Sequence, residues 1–263
     1  MTAMEQRYVL VTGASRGLGR RSAEELAGRG WTVVLACRDV ADVASLLATV
    51  RGRGARAHAV PMDVTDPDSV AAAVDAVREV GGRLHALVNN AGVFRHAEER
   101  FPGLTPGDAL DILLTNTYGP LVVTRAFLPL LRAAGGAAVV NVTSRDADED
   151  TFDGEFTCYR ASKAALNAMT RNLAVALRPD RIVVNAVDPG WIPTDMGGPE
   201  APDSLDAAVT AVVDAVELAG SDRTGVLLRA GRDPAPPVAA PSEPNQRHQP
   251  DLPPPPVPRW SAS

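Results

Sequence analysis

The chain has 263 residues, of which 45% are hydrophobic and 4% aromatic, with a formal net charge of −6. That length fits one large α/β domain or two small ones, with a core of Ala, Val and Leu rather than aromatic rings. The acidic balance argues against nucleic acid or an anionic membrane as partner, and no apolar run approaches the ~20 residues of a membrane span. The two cysteines, Cys37 and Cys158, form neither a disulfide framework nor a metal or redox spacing. The first seven residues carry no apolar signal core, so a soluble cytoplasmic protein is expected.

Tyr8 to Thr12 is a short β-branched run suited to a buried strand. Gly13-Ala-Ser-Arg-Gly-Leu-Gly19 follows at once and opens a helix that runs to about Arg29. Glycines let a backbone approach a pyrophosphate, and the N–H groups at a helix start point at it. The plainer reading is a tight strand–helix turn, but its place directly after the first strand favours a dinucleotide. Trp31 to Ala36 is the second strand. An acidic residue about 20 positions beyond the glycines would hold ribose hydroxyls, and Cys37 stands near that place. Arg38 follows it and Arg16 lies in the glycine turn, so both arginines either face a 2′-phosphate or are solvated. The missing acid favours the phosphate.

Ala41 to about Arg51 reads as an amphipathic helix and Ala57 to Val60 as the third strand. Asp63, with Val64 beside it, lies past that strand's end, as a ligand contact or as the cap of a turn. Asp66-Pro67-Asp68 starts the next helix with a cap residue, a first-position proline and an acid. Leu84 to Val88 is the fourth strand, ending in Asn89-Asn90-Ala91-Gly92, amides that fix either a ligand or the strand ends. His58 and His85 read as packed or surface histidines. From Pro106 to about Arg132 runs a long apolar periodic stretch in which Asn116 must find partners, and which Pro120 and Pro129 should bend or bound.

Ala137 to Val142 is the fifth strand and delivers Thr143 and Ser144. The acidic segment from Arg145 to Thr157 either runs along a cleft wall or lies in solvent, and solvent is the favoured reading. Cys158 to Leu177 is a helix with Tyr159 and Lys163 on one face. An ammonium beside a phenol favours the phenolate, and such a tyrosine exchanges protons near neutral pH. On its own the pair is a common surface feature. Arg181 to Val187 is the sixth strand, followed by Asp188-Pro189-Gly190-Trp191-Ile192-Pro193-Thr194. A helix over about 205–219 precedes a last strand, Gly225 to Arg229. Half of the chain's 22 prolines fall in the final 31 residues, so 233–263 is expected to be a disordered tail beside a single domain over 1–232.

Alternating strands and helices predict a doubly wound parallel sheet of about seven strands, with the site at the strands' C-terminal ends. Gly13, Asp63, Asn89, Ser144 and Pro189 all fall there. In order, Thr12-Gly-Ala-Ser-Arg-Gly-Leu-Gly19, Asn89-Asn-Ala-Gly92, Asn116, Ser144, Tyr159-x-x-x-Lys163 and Pro189-Gly190 resemble the short-chain dehydrogenase/reductase family over about residues 7–230. Within it, the segment after Asp188 looks similar to carbonyl-reductase-like members.

That resemblance implies a Rossmann fold of order 3-2-1-4-5-6-7 and an NADP(H)-dependent conversion between a ketone or aldehyde and an alcohol. Tyr159 would be the acid/base, Lys163 its modulator and holder of the nicotinamide ribose, Ser144 the donor to the substrate oxygen, and Asn116 the holder of a proton-relay water. Gly13, Ser15, Arg16, Gly17, Leu18, Gly19, Arg38, Asp63, Val64, Asn90, Ala91, Gly92, Pro189, Gly190, Ile192 and Thr194 would line the cofactor, with no metal. The family commonly forms a homodimer or homotetramer, whereas the carbonyl-reductase likeness implies a monomer. Ser144 and Tyr159 are 15 positions apart, slightly more than the family spacing, so the acidic segment carries a small insertion. A non-catalytic NADP(H)-binding regulator or scaffold on the same fold is the alternative. The presence of all four tetrad residues favours the enzyme.

Overall fold

Short β-branched runs bounded by glycine turns become strands here because both of their faces find apolar cover. The computed structural model describes residues 6–95, 101 and 103–231. Its first half contains β1 (Tyr8–Thr12), α1 (Gly17–Gly28), β2 (Thr32–Cys37), α2 (Ala44–Gly52), β3 (Ala57–Pro61), α3 (Pro67–Gly81) and β4 (Ala86–Asn89). The second half contains α4 (Pro106–Leu113), α5 (Gly119–Ala133), β5 (Ala137–Val142), α6 (Thr157–Ala176), β6 (Ile182–Asp188), α7 (Leu205–Glu217) and β7 (Leu227–Arg229). The strands form one parallel sheet in the order 3-2-1-4-5-6-7, as expected.

The two-residue period of a strand sorts its side chains into two cores. Val9 and Val11 of β1, Val33 and Leu35 of β2, and Val140 of β5 pack with Leu26 of α1 and Val212 of α7. Leu10, Val34 and Val139 go to the opposite face, against Val70 of α3 and Phe127 of α5. Every strand therefore looks uniformly apolar in sequence, and all strand C-terminal ends emerge along one edge.

Local chemistry sets the helix starts. Asp66, Thr105 and Ser204 accept the backbone N–H groups of Asp68, Asp108 and Ala207 at the heads of α3, α4 and α7. The stretch expected as a helix bent or bounded at Pro120 is helical throughout, with its rhythm broken by a wide turn of π geometry over Leu114–Tyr118. Its cause is readable. Pro120 has no N–H for the carbonyl of Asn116 four residues earlier, which breaks the regular ladder at that point. Gly119 lets this turn sit against Val64, since a Cβ there would stand 3.0 Å from the Val64 Cγ2. Pro129 lies inside α5 without ending it.

The proline-rich segment over 233–263 lies outside the described residues. Among those described, no helix is long and apolar enough to cross a membrane, and no cluster of His, Cys, Asp and Glu is placed to hold a metal.

Candidate active site

The glycine turn between β1 and α1 is built by close approach. Gly13 and Gly17 have φ of +63° and +55°, a region that favours glycine. A Cβ on Gly19 would lie 2.4 Å from Asn90 Nδ2 and 2.5 Å from the Gly13 carbonyl oxygen. Asn90 is itself committed to this turn, donating from Nδ2 to the carbonyls of Thr12 and Gly13 at 2.9 and 3.2 Å. Thr12 Oγ1 accepts from the backbone N–H groups of Asn90 and Ala91, which locks the end of β4 to the end of β1. Ser15 is half-buried and Leu18 buried in the same turn. Unlike α3, α4 and α7, helix α1 has no side-chain cap and no acid in its first turn. Its leading N–H groups are therefore left for an anion, which fits a dinucleotide pyrophosphate.

Lys163 is the centre of the second half. It is buried in α6, and its Nζ donates to the Val142 carbonyl at 2.9 Å and lies 5.7 Å from the Tyr159 ring centroid. A Cβ on Gly92 would stand 3.6 Å from this Nζ and 3.3 Å from Asn116 Oδ1, so the Asn89–Gly92 segment closes over both. Burial pushes the lysine down from its ordinary value to about 8. Tyr159 is also buried, and Phe94 meets its ring edge-on with centroids 4.7 Å apart.

Asn116, fully buried in the π turn, accepts from Val93 N–H and donates to the Val93 carbonyl and to Ser162 Oγ. Ser162 Oγ in turn donates to the Tyr159 carbonyl at 2.7 Å. The amide side chain thus ties the chain beyond β4 to the helix that carries Tyr159 and Lys163. Ser144 stands just past β5, where its Oγ donates to Asp146 Oδ2 and accepts the Asp146 N–H, both at 3.1 Å.

The segment after β6 folds back over the glycine turn. Pro189 and Ile192 are buried. Gly190, at φ +76°, admits no side chain because a Cβ would lie 2.5 Å from Asp203 Oδ2. Asp203 accepts the Trp191 N–H at 2.7 Å, and Thr194 lies 3.5 Å from where a Cβ on Gly17 would stand. Arg16 is exposed and reaches Asp195 at 3.4 Å, a weak surface pair.

At the other end, Arg38 is exposed while Cys37 is buried, its thiol pushed up by burial and then by Asp42 and Asp39. Asp63 Oδ1 accepts from the Thr65 N–H and hydroxyl, which makes it the cap of the turn after β3. Burial alone would raise this carboxyl, but the two Thr65 bonds and the Arg38 charge hold it below its ordinary value. Val64 is buried beside it.

The acidic segment after Ser144 stays largely exposed, as at Glu149, Asp150 and Asp153, and two arginines from elsewhere in the fold pin it. Arg160 of α6, buried, bonds Thr151 and Asp153, and Arg229 of β7 joins Asp148 at 2.7 Å to Asp188 at 3.2 Å.

Residues 7–204 match the family model described as short chain dehydrogenase. The chain belongs to the short-chain dehydrogenase family. It is 35% identical over 213 residues to the oxidoreductase UcpA of Escherichia coli K12, covering 78% of this chain and 79% of that one. Its fold superposes on the NADPH-bound carbonyl reductase from chicken fatty liver with a TM-score of 0.77 and 33% identity, over 86% of this chain and 97% of the other. A short chain dehydrogenase from Burkholderia cenocepacia J2315 in complex with NADP gives 0.78 and 33%, over 85% and 95%. The chain is thus an oxidoreductase of this family, and its expected site residues gather along the C-terminal edge of the sheet.

Several contacts that build this site are not readable from the sequence, although Thr12 and Asn89 stand in its motifs. Thr12 and Asp203 act through backbone N–H groups, for which sequence carries no spacing rule. Arg160 and Arg229 are recognisable only once their partners in the acidic segment are placed. Asn89 and Asn141, adjacent on β4 and β5, form a buried amide chain that ends on Thr170, and their pairing follows from strand order alone.

Proposed function

We propose that this protein is an NADPH-dependent reductase of ketones or aldehydes, able to run the reverse oxidation of alcohols, with Tyr159 as the acid/base. The observation that carries this reading is the buried Lys163 ammonium, 5.7 Å from the Tyr159 ring and backed by the Val142 carbonyl. A cation placed there in a water-poor setting favours the phenolate and brings the phenol's proton within reach of exchange near neutral pH.

NADP(H), when bound, supplies or takes the hydride. The chain's own residues do the remainder. Tyr159 gives its proton to the carbonyl oxygen during reduction and recovers it in the reverse direction. Ser144 turns its hydroxyl from Asp146 to that oxygen, where a donor aimed at developing charge lowers the barrier by several kcal/mol. Lys163, with donors left over from Val142, holds the nicotinamide ribose. Asn116 keeps the helix break open beside them, where Pro120 withholds its N–H and leaves room for a relay water. The glycine turn and the uncapped α1 hold the pyrophosphate, Asp63 and Val64 flank the adenine, and Ile192 and Thr194 anchor the carboxamide. Arg16 and Arg38 select the 2′-phosphate. Exposed Leu110, Leu113 and Leu121 on α4 and α5 support self-association, which light scattering of the purified protein reads.

The deciding experiment is Tyr159→Phe, with carbonyl-dependent NADPH oxidation and NADPH binding measured side by side. Turnover should fall by roughly 10²–10⁴-fold, the range of a general acid, while the cofactor still binds. Full turnover in this variant removes the assignment. The cofactor reading is checked by replacing Arg38 with Asp. That change should weaken NADPH by tenfold or more and spare NADH, and equal weakening of both refutes the role of Arg38.

A further inference from the structure

Among the described residues, Arg160 is a buried cation that this reaction does not use. Arg160 directly follows Tyr159 on α6, yet only 6% of it is exposed. Its hydrogen bonds all run to the segment between β5 and α6. One terminal nitrogen meets the Thr151 carbonyl and hydroxyl, and the other meets Asp153 Oδ2 at 3.0 Å and lies 3.8 Å from Asp146 Oδ1. The guanidinium lies 5.8 and 5.9 Å from the rings of Phe152 and Phe156. Its Nε is buried with no partner among the described residues.

We propose that Arg160 is a positioning residue that fixes this segment as the substrate-side wall over Tyr159, and that the aromatic face it sets, Phe156 and Phe94, selects carbonyl compounds bearing a flat aryl group. The proposal rests on the reductase reading above and adds the substrate class.

Two observations carry it. First, Phe156 sits at φ +55°, a left-handed conformation that a phenylalanine adopts only when its surroundings hold it there. The side-chain contact that holds it is the Arg160 guanidinium 5.9 Å from its ring, while the Arg160 N–H on the Phe156 carbonyl is the first backbone bond of α6. Second, that conformation turns the Phe156 ring onto Phe94, at 4.9 Å between centroids, and Phe94 meets Tyr159 edge-on at 4.7 Å. Phe94 and Phe156 are only half-buried, so ring surface remains open next to the tyrosine. Asp146, within reach of Arg160, is the residue that holds the Ser144 hydroxyl. Ser144 keeps both of its bonds to Asp146 whatever stands at 160, so the guanidinium acts on the aromatic wall. An apolar side chain would fill this space without the desolvation that a buried charge carries. What a guanidinium adds is its planar fork, which fixes several acceptors at set angles.

The test uses the full chain loaded with NADPH, as wild type, Arg160→Met and Phe156→Leu. Turnover is measured with benzaldehyde and butanal, and ligand binding with the unreactive amides benzamide and butyramide by saturation-transfer NMR. Wild type should favour benzaldehyde over butanal by tenfold or more in kcat/KM. Arg160→Met should raise KM for benzaldehyde by tenfold or more, with kcat changed less than threefold and butanal and NADPH binding unaltered. Phe156→Leu should give the same pattern, and it decides the question alone if Arg160→Met does not fold. Absence of an aryl preference in wild type, or an equal fall of kcat for both aldehydes in the variants, overturns the proposal and leaves the reductase reading intact. If wild type turns over neither aldehyde, the amides separate the two readings. Selective benzamide binding that Arg160→Met or Phe156→Leu abolishes upholds the aromatic wall against the reductase assignment, and no such binding sinks the wall as well.

Discussion

Replacing Lys163 with Met should separate stability from activity. Burial holds this lysine at about 8 against an ordinary 10.5. At 1.36 kcal/mol per pKa unit, keeping it charged inside the fold costs about 3 kcal/mol near pH 7. Methionine removes that penalty but leaves the Val142 carbonyl without its donor, a loss of ~1–3 kcal/mol. The variant should therefore be between equally stable and about 2 kcal/mol more stable than wild type at pH 7, while turnover drops by ~10²-fold or more.

The pH dependence gives the sign independently. Between about 8 and 10.5 the folded lysine is neutral while the unfolded one still binds a proton, so wild-type stability gains from this group as pH rises through that window. The methionine variant lacks the gain and loses its advantage by about pH 10. Urea unfolding followed by circular dichroism at pH 7 and pH 9.5, beside NADPH oxidation, reads both effects. A variant several kcal/mol less stable at pH 7, or one whose stability tracks pH as wild type does, would show that the buried charge is not the governing quantity.

Two further outcomes follow from the geometry. Gly19→Ala places a Cβ 2.4 Å from Asn90 Nδ2 and 2.5 Å from a backbone carbonyl, so thermal and urea unfolding should show a loss of about 2 kcal/mol. Titration should show NADPH weakened by tenfold or more, and unchanged affinity would contradict the turn's role. Arg229→Met strips the cation from Asp188, whose side chain is only 5% exposed and whose carboxyl burial already raises, with the Gly190 N–H and Arg229 opposing. Because Arg229 is partly exposed, the expected loss is about 2 kcal/mol rather than that of a fully buried pair. Without Arg229 the Asp188 carboxyl rises further above its unfolded value, so it contributes stability at low pH that is lost as pH rises through its folded pKa. The deficit should therefore be larger at pH 8 than at pH 5 in urea unfolding, and a pH-independent deficit would refute the pairing argument.

The sheet was legible because its central strands are buried on both faces and several of its turns are marked by glycine, as at Gly13 and Gly190. Strand order followed from the alternation of elements, and the tyrosine and lysine of α6 from helical spacing. A break near Pro120 was legible, but its π geometry was not. Leu114 to Tyr118 keeps an ordinary apolar rhythm, and only the pairing of Pro120 with the carbonyl of Asn116 explains the break. For the acidic segment, composition shows the exposed charges but not the partners that pin them. Arg160 and Arg229 lie 14 and 83 positions beyond Asp146, too far for any local pattern to join them. Asp63 illustrates a third case, in which one residue satisfied two readings and the fold shows the turn cap directly.

The π turn also has a meaning for insertions and deletions. Each residue rotates a helix by about 100°, so the extra residue in this turn acts as a phase offset between α4 and α5. Deleting a single residue within 114–118 would remove this offset while Pro120 still withheld its N–H from the ladder. It would also swing the whole of α4 around the axis relative to α5 and carry Asn116 away from Val93 and Ser162. Most substitutions there change one contact, whereas a one-codon loss would turn the face of an entire helix. In this stretch it is reading frame within the helix, more than residue identity, that holds the site together.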